Sequence, residues 1–589
     1  MSVSTLVGQS AAPEPGSDKP ATQSAEEIQA KTKAQAVALL REVAEESSHM
    51  RLEENRAFFL TSAADLLWDE DEKGARDLFR YAMADVRSIL SRGGDDDDSP
   101  QRYRRRMESG VLRQSLLMTI ARHDPKVARD FLRETHELAT AGGNEAYGPY
   151  GTDEQLELSL ALEIAQNDPA QALEMGRQNL AKGFSGQLLS LAQAIYKKDP
   201  ETANKFVGET IVKLKTANLN DDPGAVQYAI SLFQAGWIPE GRPADPNKKG
   251  PALVDEGQMR DLAELIAQSA LSAGGDESSP MPGMIFTLIK QLERYAPARV
   301  RQLRAKLGTA VATASEAQDN WAEVARLREE GTPDEILQAA EKAENLGARP
   351  MYYEVAVTKL IAAGELDRAR SVIAEKITDP DSKRRLSAAV EQGALQKAAT
   401  AGNLDESRRL LGSVKTDEER IMTLAQLATA VGAKDKKTAL GLLQEATNML
   451  SPRARNYRQL LARLTLVTAY ATIGSDRAFD LLESSVEQSN EVLSAFFVVG
   501  EFLAEDEIVR DEEVTVFQLG RSISSDLQQY RKTVNLMATA DFVRMKGVAD
   551  RFQRPEIRLL ARMMVADSIL GKENEPASTD ALPVPSSID

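Results

Sequence analysis

The chain has no cysteine, so disulfides, thiolate nucleophiles and thiolate metal sites are excluded. Its three histidines, His49, His123 and His136, have no metal-ligand spacing, and no zinc-binding HExxH occurs. No metal or cofactor is expected. Aromatic residues are scarce, at 5%. The interior must then be filled largely by Ala and Leu, which lose little side-chain freedom on entering a helix. No stretch reaches the ~20 apolar residues of a membrane span. Nor is there a run of alternating β-branched residues, so no strand is expected. Glycine-rich phosphate cradles after a strand are missing, as is a GxSxG nucleophile elbow.

Positive charge is in deficit, with 72 basic against 90 acidic residues and a net charge of −18. A field of that sign repels nucleic acid and anionic lipid heads. The one basic cluster, Arg102, Arg104, Arg105 and Arg106, directly follows Asp95 to Asp98, and the two runs neutralise each other. Nucleic acid is not expected as a partner. The Asp run lacks the alternating oxygen ligands and central glycine of a calcium loop, and reads as solvated. His123 reads as a solvated residue of a turn. Trp68, Trp237 and Trp321 fall at helix ends or in breaks and read as packing anchors.

What the sequence does contain is helical periodicity, interrupted by proline and glycine. Apolar residues recur at i, i+3, i+4 and i+7 almost throughout. Breaks fall at Gly93–Gln101, Ala141–Thr152, Pro239–Pro251 and Gly274–Gly283. They divide the chain into an unstructured start (1–25), a first array of helical hairpins (26–240) and a degenerate helical region (252–350). A better-ordered array (351–510), capping helices (511–570) and an unstructured tail (571–589) follow. Ser10 to Glu26 has the Ala/Pro/Ser-rich character of a spacer behind a cleaved signal. An upstream start would make the protein exported or periplasmic; otherwise it is cytoplasmic.

A register emerges when the turns are aligned on Asp71, Asp124, Asp168, Asp199, Glu365, Asn403, Asp435 and Gly474. Four residues on stands a small residue: Ala75, Ala128, Ala172, Ala203, Ala369, Ser407, Ala439 and Ala478. The positions eight and four before the anchor, and seven and eight after it, are apolar throughout except at Gly176. Aspartate at the anchor is a helix N-cap, and the proline after Asp124, Asp168 and Asp199 occupies the first helical position, where its missing N–H is no loss. Asp222-Pro223 and Thr332-Pro333 repeat that pattern. The small residue marks the closest approach of two helices. Each unit is therefore one helix, a capped turn and a second helix. The last helical pattern, from Pro555 to Leu570, carries Ile557, Leu560, Ala561, Met564 and Val565 on one face and reads as the closing cap of the array.

The segments AAGELDRARSVI (Ala362–Ile373) and AGNLDESRRLL (Ala401–Leu411) resemble the middle of a tetratricopeptide repeat, and the likeness is one of register. It implies an all-α fold, an α-solenoid of stacked antiparallel helical hairpins. It also implies a non-catalytic scaffold that binds a protein or peptide partner in the solenoid groove. In such arrays the first helix of each hairpin lines the concave face. The groove then falls at Glu354, Gln392, Leu424 and Arg463, eleven residues before their anchors, and at Thr358, Gln396, Ala428 and Val467, seven before. Glu354, Thr358, Gln392, Gln396 and Arg463 are the candidate partner-binding residues. The alternative is an enzyme on a closed (α/α) toroid or a U-shaped helical superstructure, using acidic residues around a central pocket. Closure of the array discriminates the two.

Overall fold

The computed structural model describes residues 25–92, 100–140, 153–237, 251–272, 288–307, 327–343 (except 330), 349–503 (except 402, 413 and 415), 509–516 (except 511) and 530–571. Most of the expected breaks at Gly93–Gln101 and Pro239–Pro251, all of Ala141–Thr152 and Gly274–Gly283, nearly all of both tails, Asp95 to Asp98 and Trp321 lie outside these residues, as do the side chains of Arg102 and Arg104 to Arg106. Pro100 and Gln101 of the first break already belong to α4.

The described chain is all-α apart from one short ribbon. Its first half holds α1 (Ala25–Ser47), α2 (Glu53–Leu67), α3 (Glu72–Ser91), α4 (Pro100–His123), α5 (Pro125–Thr140), α6 (Asp153–Ile164), α7 (Pro169–Lys182), α8 (Gly186–Lys198), α9 (Pro200–Thr216), α10 (Pro223–Gly236), α11 (Glu256–Ser272), α12 (Ile289–Tyr295) and α13 (Pro297–Leu307). The second half holds α14 (Pro333–Lys342), α15 (Arg349–Ala362), α16 (Leu366–Lys376), α17 (Pro380–Thr400), α18 (Leu404–Leu411), α19 (Asp417–Gly432), α20 (Lys436–Asn448), α21 (Tyr457–Ile473) and α22 (Arg477–Leu503). The ribbon of β1 (Val509–Arg510) and β2 (Glu513–Val514) follows, then a helical segment at 530–540, α23 (Phe542–Asp550) and α24 (Pro555–Leu570).

The anchors show why the chain turns where it does. The N–H of Asp71, Asp124, Asp168, Asp199 and Asp435 donates to a carbonyl four residues back and closes the preceding helix. The carboxylate of the same residue accepts from the amide three residues on, at 3.0 to 3.1 Å, and opens the next one. Its carbonyl accepts from the small residue at +4. One aspartate thus satisfies orphan groups of two helices at once, which lets the turn be this short. Asp222 caps α10, and Thr332 forms a full capping box with Glu335 at α14, as their sequences predict.

Two anchors work differently. Glu365 makes no side-chain cap, and Gly474 is itself a C-cap. In these turns Gly364 (φ 74°) and Gly474 (φ 69°) take the left-handed conformation. The next N–H, of Glu365 or Ser475, then reaches back to Leu360 or Tyr470. That is the Schellman closure, which needs a residue without a Cβ.

The small-residue column is interior at every position. Ala75, Ala128, Ala172, Ala203, Ala369, Ser407 and Ala439 have no exposed surface, and Ala478 is 1% exposed. The glycine in the +8 column has a local reason: a Cβ at Gly176 would stand 2.8 Å from Leu191 and 3.0 Å from Phe206.

Helices pack mainly on their neighbour in sequence and their next neighbour but one, from α1 to α13 and again from α14 to α22. One continuous apolar core runs through α1 to α13 and on through α19 to α24, while α14 to α18 are held by three smaller clusters. The chain ends join that order. α24 packs on both α1 and α2. The reading of Pro555–Leu570 as a terminal cap therefore gives way to an internal joint, and the reason is a second apolar face. At 100° per residue, Leu559, Met563 and Ala566 lie on the side of α24 away from Ile557, Leu560, Ala561 and Met564, and all three are buried.

The joint is also written in polar groups. Glu46 of α1 pairs with Arg558 at 2.7 Å and Arg562 at 2.5 Å, and Glu42 pairs with Lys546 at 2.9 Å. The ribbon, which the sequence did not lead us to expect, serves the same joint. Leu52, the residue before α2, offers no side-chain cap. The Glu513 carboxylate instead holds the approach to α2, accepting from the amides of Arg51 at 2.6 Å and Leu52 at 3.0 Å. Fully buried Asn55 donates to the Val514 carbonyl at 2.8 Å and accepts from the Val516 amide at 2.9 Å, so its side chain completes the edge of the ribbon.

Candidate functional site

The candidate groove residues divide between surface and interior. Thr358 and Gln392 are exposed on α15 and α17. The side chain of Gln396 lies outside the described residues. Glu354 is half-buried and spends its carboxylate on α17, accepting from Ser382 Oγ and Arg385 Nη2, each at 2.6 Å. The Ser382 hydrogen bond and, after some loss to burial, the Arg385 charge hold that carboxyl below its ordinary range.

Arg463 is 5% exposed. It donates to Ser484 Oγ at 3.0 Å and to the carbonyls of Ser451 and Pro452 at 2.8 and 2.9 Å, tying the 449–456 connection to α22. Leu424, Ala428 and Val467, the apolar members of the same strip, are interior as well. In this part of the array the face that the register assigns to the groove is covered. The sequence offered no warning at Arg463, because a guanidinium at a helix-face position reads as solvated unless its three acceptors are known.

His123 is a joint rather than a solvated residue. Its ring stacks on Trp68, with centroids 4.6 Å apart and planes at 23°, and its Nε2 lies 2.7 Å from Asp65 Oδ1. Arg122 reaches the other oxygen of Asp65 at 3.1 Å. The end of α4 is thereby clamped on the end of α2. Trp237 packs edge-on against Tyr295, so both described tryptophans are anchors, as read.

A large concavity among the described residues lies elsewhere. It measures about 750 Å³ and lies between α21, α22, the 530–540 segment, α23 and α24. Its walls are predominantly Leu, Val and Met, among them Leu464, Leu482, Val486, Met537 and Met564. The stripe that the sequence displays on α24, Ile557, Leu560, Ala561, Met564 and Val565, lines one side of it. The stripe was legible; what it faces was not, since the opposite wall is a hundred residues earlier in the chain.

Polar groups on the wall are already engaged inside the protein. Ser485 and Ser489 donate to carbonyls one turn back on α22, Thr533 Oγ1 donates to Thr468 Oγ1, and Gln488 exchanges hydrogen bonds with the backbone of Ala454. Asn456 caps α21 through the Gln459 amide. At the mouth, Arg455 and Tyr457 are exposed, and no described residue accepts from the Arg455 guanidinium or pairs with the Tyr457 hydroxyl. The apolar surface continues past the mouth along α22, where Val492, Phe496 and Val499 are exposed at one-face spacing.

Among the described residues no group of three or more His, Asp or Glu side chains is placed to hold a metal ion, and no helix is long and apolar enough to cross a membrane. No protein-family model matches the sequence, and no curated protein is similar to it.

Proposed function

We propose that the chain is a non-catalytic scaffold, an α-solenoid of tetratricopeptide-like hairpins that holds a protein or peptide partner by contact. The observation that supports this most is the packing order. Most helices are buried on their sequence neighbours, and the same capped turn recurs at Asp71, Asp124, Asp168, Asp199 and Asp435. An array built this way extends its core along the stack and exposes long surfaces, and partners lie across such surfaces. Exposed Thr358 and Gln392 keep the groove reading open on α15 and α17; Arg463, Leu424, Ala428 and Val467 do not contribute to it while buried.

A second reading, the closed helical toroid with an acidic catalytic centre, gains from one observation: the chain ends dock on each other. Against it stands the character of the concavity beside α24, which is apolar. We therefore keep closure and leave the acidic centre aside.

The test uses a partner recovered on the wild-type chain from its native cells. Its affinity is measured for wild type and for the Thr358→Ala, Gln392→Ala double variant, with matched thermal transitions. The scaffold reading expects weaker binding by the variant. Unchanged affinity in a folded variant removes the α15–α17 groove.

A further inference from the structure

We infer that the cavity between α21, α22, the 530–540 segment, α23 and α24 is a binding site for one single-chain anionic amphiphile, a long-chain fatty acid. The inference goes beyond the scaffold reading and does not depend on it.

Volume is the first reason. About 750 Å³ lies within the roughly 300–1,000 Å³ of small-molecule sites and is far larger than the few-atom voids of a packed interior. The second reason is the wall. Five helical segments present Leu, Val, Ile and Met to it, and the wall serines, Thr533 and Gln488 have their hydrogen bonds inside the protein. Water held there would find few of the two to four polar partners that it needs. A ligand with polar groups along its length would lose them to desolvation in the same way. An alkyl chain loses nothing, and three methionines, Met537, Met545 and Met564, give the wall adaptable, polarisable contacts.

The mouth supplies the third reason. Free polarity is concentrated there, in the Arg455 guanidinium and the Tyr457 hydroxyl. The neighbouring carboxylate of Glu491 is taken by Arg453. In a chain of net charge −18, the exposed Arg455 guanidinium beside this apolar wall is a local positive site. A guanidinium fork fits a carboxylate better than any neutral head. The occupant that satisfies both ends is apolar for most of its length and terminates in one carboxylate.

The experiment uses the full chain, stripped of lipid, and the fluorescent fatty acid cis-parinaric acid, with palmitate and the neutral 1-hexadecanol as competitors. Saturable binding of one parinarate per chain is expected, displaced by palmitate. Arg455→Glu, an exposed substitution that leaves the fold intact, should weaken palmitate at least tenfold and hexadecanol less than twofold. Leu464→Trp, which fills the cavity, should weaken both alike. Absence of saturable binding to folded wild type overturns the proposal. So does binding that neither variant alters, because the site then lies elsewhere. Equal loss of palmitate and hexadecanol with Arg455→Glu overturns the carboxylate assignment. Should Leu464→Trp fail to fold, Arg455→Glu alone still decides. Sedimentation with phosphatidylglycerol vesicles, without binding of monomeric parinarate, would identify a membrane surface and overturn the soluble-ligand reading.

Discussion

Ser407 is the one polar member of the small-residue column, and its buried hydroxyl has no hydrogen-bond partner among the described residues. An unpaired buried hydroxyl is destabilising, whereas an alanine methyl of nearly the same size fits the site as it does in the other turns. Ser407→Ala should therefore stabilise the protein by about 1 kcal/mol, read as a rise in the denaturant midpoint with an unchanged slope. Enlargement of the column has the opposite sign. Ala172→Leu and Ala369→Leu force fully packed helices apart and should destabilise by about 1–3 kcal/mol. Gln193→Leu, exposed on α8, should be nearly neutral. The column was legible in the sequence because its cause is local: four residues after a cap is one helical turn, facing the preceding helix. Arg463 and His123 were not legible. Their partners, the 451–452 carbonyls, Ser484, Trp68 and Asp65, are set by packing that no spacing rule encodes.

At the scale of elements, the caps carry a pH dependence. Asp199 and Asp435 sit below the ordinary carboxylate range because the hydroxyl and amide of Thr202 and of Thr438 donate to them. Asp71 is lowered by the Gly74 amide and Arg41. A depressed carboxyl gives stability that is present above its unfolded pKa, near 4, and lost as pH falls through the lower folded value. The thermal transition should then fall as pH drops below about 4. Burial raises Asp85, against the hydrogen bond of Arg56, and also raises Asp567, and both carboxyls oppose the trend. Asp199→Asn with Asp435→Asn keeps both caps, since Asn caps as well as Asp, so this variant should match wild type at pH 7 and show a flatter acid limb. An acid limb identical to that of wild type would show that these caps do not titrate as described.

One contact at a helix start lies beyond any local reading. α2 starts without a capping side chain of its own, and the amide of Leu52 just before it donates to Glu513, 461 residues away. Asn55 works across the same gap, and Asn55→Ala strands the Val514 carbonyl and the Val516 amide. At about 1–3 kcal/mol for each buried group left unpaired, this exposed-looking asparagine should rank among the most damaging single substitutions in α2. Chemical denaturation checks it, with Asn55→Asp as the partner variant that keeps only the acceptor. A loss below about 0.5 kcal/mol would show that the ribbon does not depend on α2.

For the whole molecule, the sequence declared helices and capped turns but not the docking of the chain ends on each other. The joint of the chain ends uses Glu42 and Glu46 on α1, Arg51 just before α2, Lys546 on α23, and Arg558 and Arg562 on α24, charged residues of ordinary spacing. In a chain where 28% of residues are charged, such positions are indistinguishable from a solvated face. The second apolar face of α24 was the available signal. It was masked by the more obvious stripe on the other side, which the cavity uses.

Closure is the claim on which the rest of the account leans, because it places α24 between the joint and the cavity wall. The absence of cysteine makes it directly measurable. Arg51 and Glu512 are mutually paired at 2.6 Å, with side chains 63% and 83% exposed. Exposed pairs of this kind contribute little, so both can be changed to cysteine without opening the joint. With a spin label on each, the distance distribution across the chain ends should be single, narrow and at the short end of the measurable range. It should broaden and lengthen when Asn55→Ala is added. A long, broad distribution in the otherwise unaltered chain would mean that the array is open, and would contradict the account.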